Sequence, residues 1–166
     1  MSQLRELHST VICLQAGKIL MVRKQAPEWS LPGGKIDPGE TQFEAACREL
    51  REETSLQLTD AQFLGHSVLP GEEHWLYPMT VPASMQPRAS HEIVECRWFS
   101  VAELGQVVVK PTNVELLRRE GFLEARVKDR PGIFISVRQS IFSVPEIKRR
   151  STETKERHRA LRFHAS

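Results

Sequence analysis

Hydrophobic residues fall into short runs separated by breaks that carry glycine or proline. Residues 8–14 include Val11, Ile12 and Leu14 and read as a strand. Gln15-Ala16-Gly17 turns it, and Lys18–Arg23, with Ile19, Leu20, Met21 and Val22, reads as its hairpin partner. Residues 24–30 read as a loop. Leu31-Pro32-Gly33-Gly34 then gives backbone freedom where the chain must approach a ligand. Asp37-Pro38-Gly39 is a turn, and a helix is predicted over residues 41–54. Its apolar positions Phe43, Cys47, Leu50 and Thr54 are spaced four, three and four, the rhythm of a buried stripe. Residues 61–69 and 74–81 read as strands around Pro70-Gly71, and 82–90 as a loop. Residues 92–99 alternate Ile93, Cys96 and Trp98 imperfectly with polar residues, as a strand does. Ser100 caps a short helix, Val101–Leu104, with Glu103 at the capping-box position. Residues 113–120 look helical and stop at Gly121. No internal repeat is visible. Strands, a helix, more strands and a closing helix predict a mixed α/β or α+β sandwich.

The polar side of the first helix changes the picture. Glu49, Glu52 and Glu53 stand at i, i+3 and i+4, so at 100° per residue they project as one cluster. Like charges at i and i+4 repel by roughly 0.2–0.5 kcal/mol on a bare helix. A bound divalent cation reverses the sign of that interaction. Mg²⁺ suits best, because it is hard, prefers carboxylate oxygens and is commonly shared with substrate phosphates.

The spacing around this cluster resembles the signature of the Nudix hydrolases, specifically the MutT-like ones. That signature is Gly, five residues, Glu, seven residues, Arg-Glu-aliphatic, one residue, Glu-Glu, one residue, Gly, aliphatic. Gly34, Glu40, Arg48, Glu49, Leu50, Glu52, Glu53 and Leu56 match it in register. Ser55 stands where the family has its last glycine, at a helix C-terminus where a left-handed residue is common. Six fixed polar or glycine positions arise together by chance roughly once in 10⁷ start sites at average composition.

The resemblance covers residues 4–122 and implies an α/β/α sandwich around a mixed sheet. It also implies hydrolysis of a nucleoside diphosphate linked to another group. Carried over by position, Glu49, Glu52 and Glu53 are implied Mg²⁺ ligands, with Mn²⁺ as the alternative ion, and the Gly33 carbonyl is a further one. Arg48 is implied to orient a neighbouring carboxylate, and helix spacing lets it pair with Glu44 and Glu52; an exposed ion pair is the plainer reading. Glu40 ties the loop to the helix. Lys35 and Gly34 face the substrate phosphates in this reading, against a simply exposed lysine. Glu53, Arg48 and Glu92 form the implied catalytic set. Glu92 lies six residues before Trp98, in the segment that supplies another metal ligand or the general base, with Glu95 as runner-up. Trp29, Trp75, Tyr77 and Phe99 offer faces to a nucleobase, but core packing is the commoner use of such residues. No histidine reads as a ligand; His91 is of note only as Glu92's neighbour.

Composition sets the remaining bounds. The chain has 166 residues and 40% hydrophobic content, enough for one core: a hydrolase domain over 1–123 and an extension over 124–166. It contains no run of 18 apolar residues, and the first six residues are polar, so no membrane partner and no signal segment are expected. Cys13, Cys47 and Cys96 are odd in number and far apart, which fits a reducing cytoplasm and buried packing roles. From residue 125 onward, 11 Lys/Arg face 4 Asp/Glu, leaving an acidic body with a basic tail. Ile133-Phe134-Ile135 and Ile141-Phe142-Ser143-Val144 are apolar enough to pack on the domain. The tail reads as a partly packed extension, a nucleic-acid contact through phosphates, or an interface with another chain. The expected partner is a nucleotide-type small molecule. Oligomeric state is not legible. A (d)NTP pyrophosphatase leads, an ADP-ribose or nucleotide-sugar hydrolase follows, and a non-catalytic nucleotide-binding module is the rival from another class.

Overall fold

The computed structural model of the chain describes residues 4–59 and 62–124. The apolar tail segments 133–135 and 141–144 and the basic run after them lie outside the described residues, as does Ala61.

Seven strands form one sheet: β1 Glu6–Gln15, β2 Lys18–Arg23, β3 Trp29–Ser30, β4 Gly33–Lys35, β5 Gly65–Leu69, β6 Glu72–Thr80 and β7 Glu95–Phe99. The main order is β3-β2-β1-β6-β5, with β4 paired to β1 and β7 to β2. Among the described strands, β1 and β6 pair in parallel and the other pairs are antiparallel, which makes the sheet mixed. Three helices complete the fold: α1 Gln42–Thr54, α2 Val101–Leu104 and α3 Pro111–Arg119.

The uninterrupted apolar run in β1 follows from burial on both faces. Val11 and Cys13 point to one side, where they meet Ala46 and Leu50 of α1 with Leu56, Tyr77 and Met79. Ile12 points to the other, where it joins Ile19, Met21, Trp29, Phe99, Leu104 and Leu117 under α2 and α3. A sheet between helices is therefore the α+β sandwich expected from the order of elements.

The helix ends follow their local chemistry. Thr41 and Ser100 close capping boxes with Glu44 and Glu103. Pro111 opens α3 at a position that needs no amide hydrogen. The loop predicted over 24–30 instead ends in β3, and the glycine pair that follows is strand β4. Residues 92–94 precede β7 rather than belonging to it.

The buried stripe of α1 differs from the predicted one. Phe43 is 40% exposed and Cys47 half-buried, whereas Ala45, Ala46, Leu50, Glu53 and Thr54 are buried. The small alanines set the contact, because α1 lies close against β1 and β4, and Phe43 leans outward onto Tyr77. Of the three cysteines only Cys13 is fully buried; Cys47 and Cys96 are half-buried. Trp29, Tyr77 and Phe99 are core residues, and Trp75 stacks on His66.

Ser55 caps α1 in the left-handed conformation, at φ 61° and ψ 9°. That backbone costs a residue with a Cβ about 1 kcal/mol or more. Ser55→Gly is therefore expected to stabilise the protein by about 0.5–1 kcal/mol, read as a higher urea midpoint at unchanged slope. An unchanged or lower midpoint would contradict the strain.

Candidate active site

A cleft of about 520 Å³ opens where β4 lies between β1 and the acidic side of α1. Two glycines make that approach feasible. Gly33 has φ 143°, and a Cβ there would collide with the Ser9 carbonyl and the Thr10 backbone. A Cβ on Gly34 would collide with the Glu49 carboxylate. The glycine pair thus brings β4 against the helix carboxylates.

Glu53 is the most constrained of these carboxylates. It is 4% exposed, and its Oε2 accepts a hydrogen bond from the Gly33 amide at 3.0 Å. Burial pushes its carboxyl up to about 8. The Gly33 N–H opposes that rise, Glu49 and Glu92 add to it, and Lys24 eases it. Glu49 and Glu92 line the same cleft with Gly33, Gly34 and Lys35. Three carboxylates, one of them buried, form an all-oxygen donor set that repels itself without a cation. These residues therefore fit a hard divalent ion.

Glu52 does not line the cleft. It faces Arg48, with Nη1 donating to Glu52 Oε2 at 3.4 Å. Arg48 is a hub. Its Nε and Nη2 donate to both oxygens of Glu40 at 2.8 and 3.0 Å. Nη2 also reaches the Lys35 carbonyl at 3.0 Å, and Nη1 reaches Glu49 at 2.7 Å. Glu40 accepts from the Asp37 amide as well, so it ties the turn to the helix. The expected Arg48–Glu44 pair is absent, because Glu44 is spent on the capping box with Thr41.

Glu92 reaches the cleft from the loop before β7. That loop is fastened to the end of α1 by Arg88 N to Thr54 O at 2.8 Å and by the His91 ring against Glu52 O at 2.9 Å. Glu95, the runner-up, pairs with Arg23 at 2.8 Å and does not line the cleft.

The far end of the cleft carries residues that sequence reasoning missed: His8, Thr10, His74, Lys110 and Asn113. His74 is buried, with Nδ1 2.9 Å from Thr10 Oγ1 and Nε2 2.9 Å from Glu72. Burial holds its imidazole below the usual range. His8 stacks on it at 5.0 Å. The Asn113 Oδ1 accepts from the Leu31 amide at 2.8 Å. The parallel β1–β6 register sets His8 opposite His74, and the start of α3 adds Lys110 and Asn113. Glu6, His8 and Glu72 place one potential ligand atom each within 4.8 Å of one another. Lys35 and Lys110 already neutralise both of those carboxylates, at 2.6 and 2.8 Å.

The planar fork of Arg48 serves several acceptors that an ammonium cannot reach together. Arg48→Lys is expected to lower stability by about 1–2 kcal/mol in urea unfolding, since charged hydrogen bonds are lost at a half-buried hub. A loss below about 0.3 kcal/mol would show that the hub is only a screened surface pair.

Comparison with known proteins places this geometry. The model of the NUDIX domain matches residues 5–120. The CTP pyrophosphohydrolase of Escherichia coli (strain K12) is 32% identical over 117 residues, covering 66% of this chain and 85% of that protein. The RNA pyrophosphohydrolase of Erythrobacter litoralis (strain HTCC2594) is 47% identical over 119 residues, covering 57% and 72%. The crystal structure of a MutT NUDIX hydrolase from Burkholderia pseudomallei superposes with a TM-score of 0.60 at 24% identity, covering 69% of this chain and 97% of that one; it is a likeness of fold. With the domain match spanning the described fold and the carboxylates in register at one cleft, the chain belongs to the Nudix family and is a hydrolase of phosphoric anhydrides.

Proposed function

We propose that this chain is an Mg²⁺-dependent pyrophosphohydrolase of nucleotides, with nucleoside triphosphates as the leading substrates. One observation carries the reading: Glu53 is buried at about 4% exposure, with Glu49 and Glu92 along the same cleft. Hydrolases of this family generally use a divalent metal. Glu49, Glu53 and the Gly33 carbonyl would hold it, with Glu52 turning in from the Arg48 hub. When bound, such an ion neutralises anhydride oxygens and acidifies a water.

The other roles belong to the chain itself. Glu92 is the proton acceptor for the attacking water. Its hydrogen bond to Lys24 holds its carboxyl below the usual range, so it is ionised as a base must be. Arg48 positions rather than reacts, fixing Glu49 and the turn through Glu40. Lys35 stands at the cleft beside Gly34 and meets phosphate there. The buried far end, with Thr10, His74 and Asn113, takes the rest of the nucleotide.

The nucleoside triphosphate reading draws support from the relative named for CTP, which shares most of its own length with this chain. ADP-ribose and nucleotide sugars are the alternative substrates. A module that binds nucleotides without cleaving them is disfavoured by the intact Glu49, Glu52 and Glu53 set. Chromatographic analysis of the products formed from (d)NTPs, ADP-ribose, nucleotide sugars and 5′-triphosphorylated RNA with Mg²⁺ separates these readings: a nucleoside triphosphate gives a monophosphate and pyrophosphate, whereas ADP-ribose or a nucleotide sugar gives a monophosphate and a sugar phosphate. Turnover is expected with a nucleoside triphosphate, and turnover of none would favour the binding module.

Glu53→Gln keeps the shape and removes the charge. Turnover is expected to fall about 100-fold or more at saturating Mg²⁺. The metal-free variant should unfold near the parental temperature at neutral pH and above it as the pH rises past about 8, where the parental Glu53 takes up a buried charge that Gln lacks. The stabilisation of the parent by Mg²⁺ should disappear. Near-parental kcat would remove Glu53 from the ligand set. Glu92→Gln should lower kcat by about 100-fold with little change in KM; a rise in KM alone would make Glu92 a binding residue.

A further inference from the structure

We infer that Lys24 is a built-in counter-cation of the carboxylate site: its ammonium holds Glu92 until a divalent ion binds, and then passes to the phosphates of the substrate. This rests on the metal-dependent reading above.

The cleft has three lysines along it, and each is held by a carboxylate. Lys35 sits on Glu6 at 2.6 Å and Lys110 on Glu72 at 2.8 Å. Both of those partners lie apart from the α1 carboxylates. Lys24 alone is held by a carboxylate that lines the cleft beside Glu49 and Glu53, with Nζ 2.8 Å from Glu92 Oε1. Glu53 and Glu49 also act on its charge, and Lys24 in turn eases the ionisation of buried Glu53. The ammonium therefore does, weakly, what a divalent cation does strongly at the same group of oxygens.

The pair is built to exchange. Its two side chains are 57% and 56% exposed, so solvent screens the attraction and the ion pair breaks readily. The backbone beneath it is fixed. Arg23 is pinned by Glu95, and its carbonyl accepts from the Val94 amide at 2.8 Å. Lys24 thus keeps its root at the cleft edge while its four-carbon stem reorients. Glu92, once it turns to a water on an ion held by Glu49 and Glu53, would release this ammonium. The freed charge stays in the cleft, where the arriving anion is a polyphosphate. Metal and nucleotide then reinforce each other through one lysine, and by linkage the effect is reciprocal.

The test is Mn²⁺ binding to the full chain, followed by the loss of the free-ion paramagnetic resonance signal. Without nucleotide, Lys24→Gln is expected to bind Mn²⁺ about two- to fivefold more tightly than the parent, the scale of an exposed ion pair. Lys24→Arg should keep the parental affinity. In a Glu92→Gln background, Lys24→Gln should gain clearly less, because the partner it holds is gone and only its weaker action on Glu53 and Glu49 remains. At saturating Mn²⁺, Lys24→Gln should bind a methylene-bridged nucleoside triphosphate several-fold more weakly. These opposite signs for metal and nucleotide cannot come from general damage to the fold. Unchanged or weaker Mn²⁺ binding by Lys24→Gln, beside a parent that binds Mn²⁺, overturns the role of Lys24 alone. The same gain in the Glu92→Gln background also overturns it. A parent that binds no Mn²⁺ overturns it together with the metal-dependent reading.

Discussion

A carboxylate with almost no access to water is the constraint around which this structure is arranged. Glu53 sits on the core side of α1, where desolvation opposes its charge. One backbone amide, that of Gly33, partly offsets this. The amide can be there only because β4 lies flat between β1 and α1. That placement in turn demands glycine at 33, where any side chain would meet the β1 backbone, whereas a side chain at 34 would displace the Glu49 carboxylate. Glu49 and Glu92 on the same cleft aggravate the electrostatic problem. An apolar residue would have packed there without that cost, so an ionisable group whose charged form is disfavoured until a cation arrives points to a cation as the missing partner.

The surrounding polar network distributes the other charges so that they do not collapse into the cleft. Arg48 gathers Glu40, Glu49 and Glu52 on the outside of the helix and reaches the Lys35 carbonyl. It thereby fixes the turn and the helix as one unit. The segment before β7 is fastened to the end of α1 through Arg88 and His91, which delivers Glu92. Three lysines balance three carboxylates around the rim. These three charges are held in separable pairs.

Much of this was legible in the sequence because the relevant contacts are local. The capping box at Ser100, the hairpin of β1 and β2, and the left-handed Ser55 depend on neighbours a few residues apart. The carboxylates of α1 project from one regular helix, so spacing alone grouped Glu49, Glu52 and Glu53. What spacing could not show is which of the three turns inward: Glu53 is buried and Glu52 faces Arg48 because small alanines, rather than Phe43, seat the helix. Helix periodicity offers Arg48 both Glu44 and Glu52; the Glu52 pair forms, but the cap takes Glu44 and the turn supplies Glu40 instead. The His8–His74 end was illegible for a different reason. It exists only through a parallel pairing of strands more than sixty residues apart, and no local pattern sets that register.

The central claim is that a cation completes the Glu53 site. Anomalous diffraction from a crystal soaked in Mn²⁺ tests it most directly, because it locates the ion without reference to turnover. The account predicts an Mn²⁺ peak between α1 and β4, within coordination distance of Glu53 and Glu49. A peak at Glu6, His8 and Glu72, with none at Glu53, would contradict it.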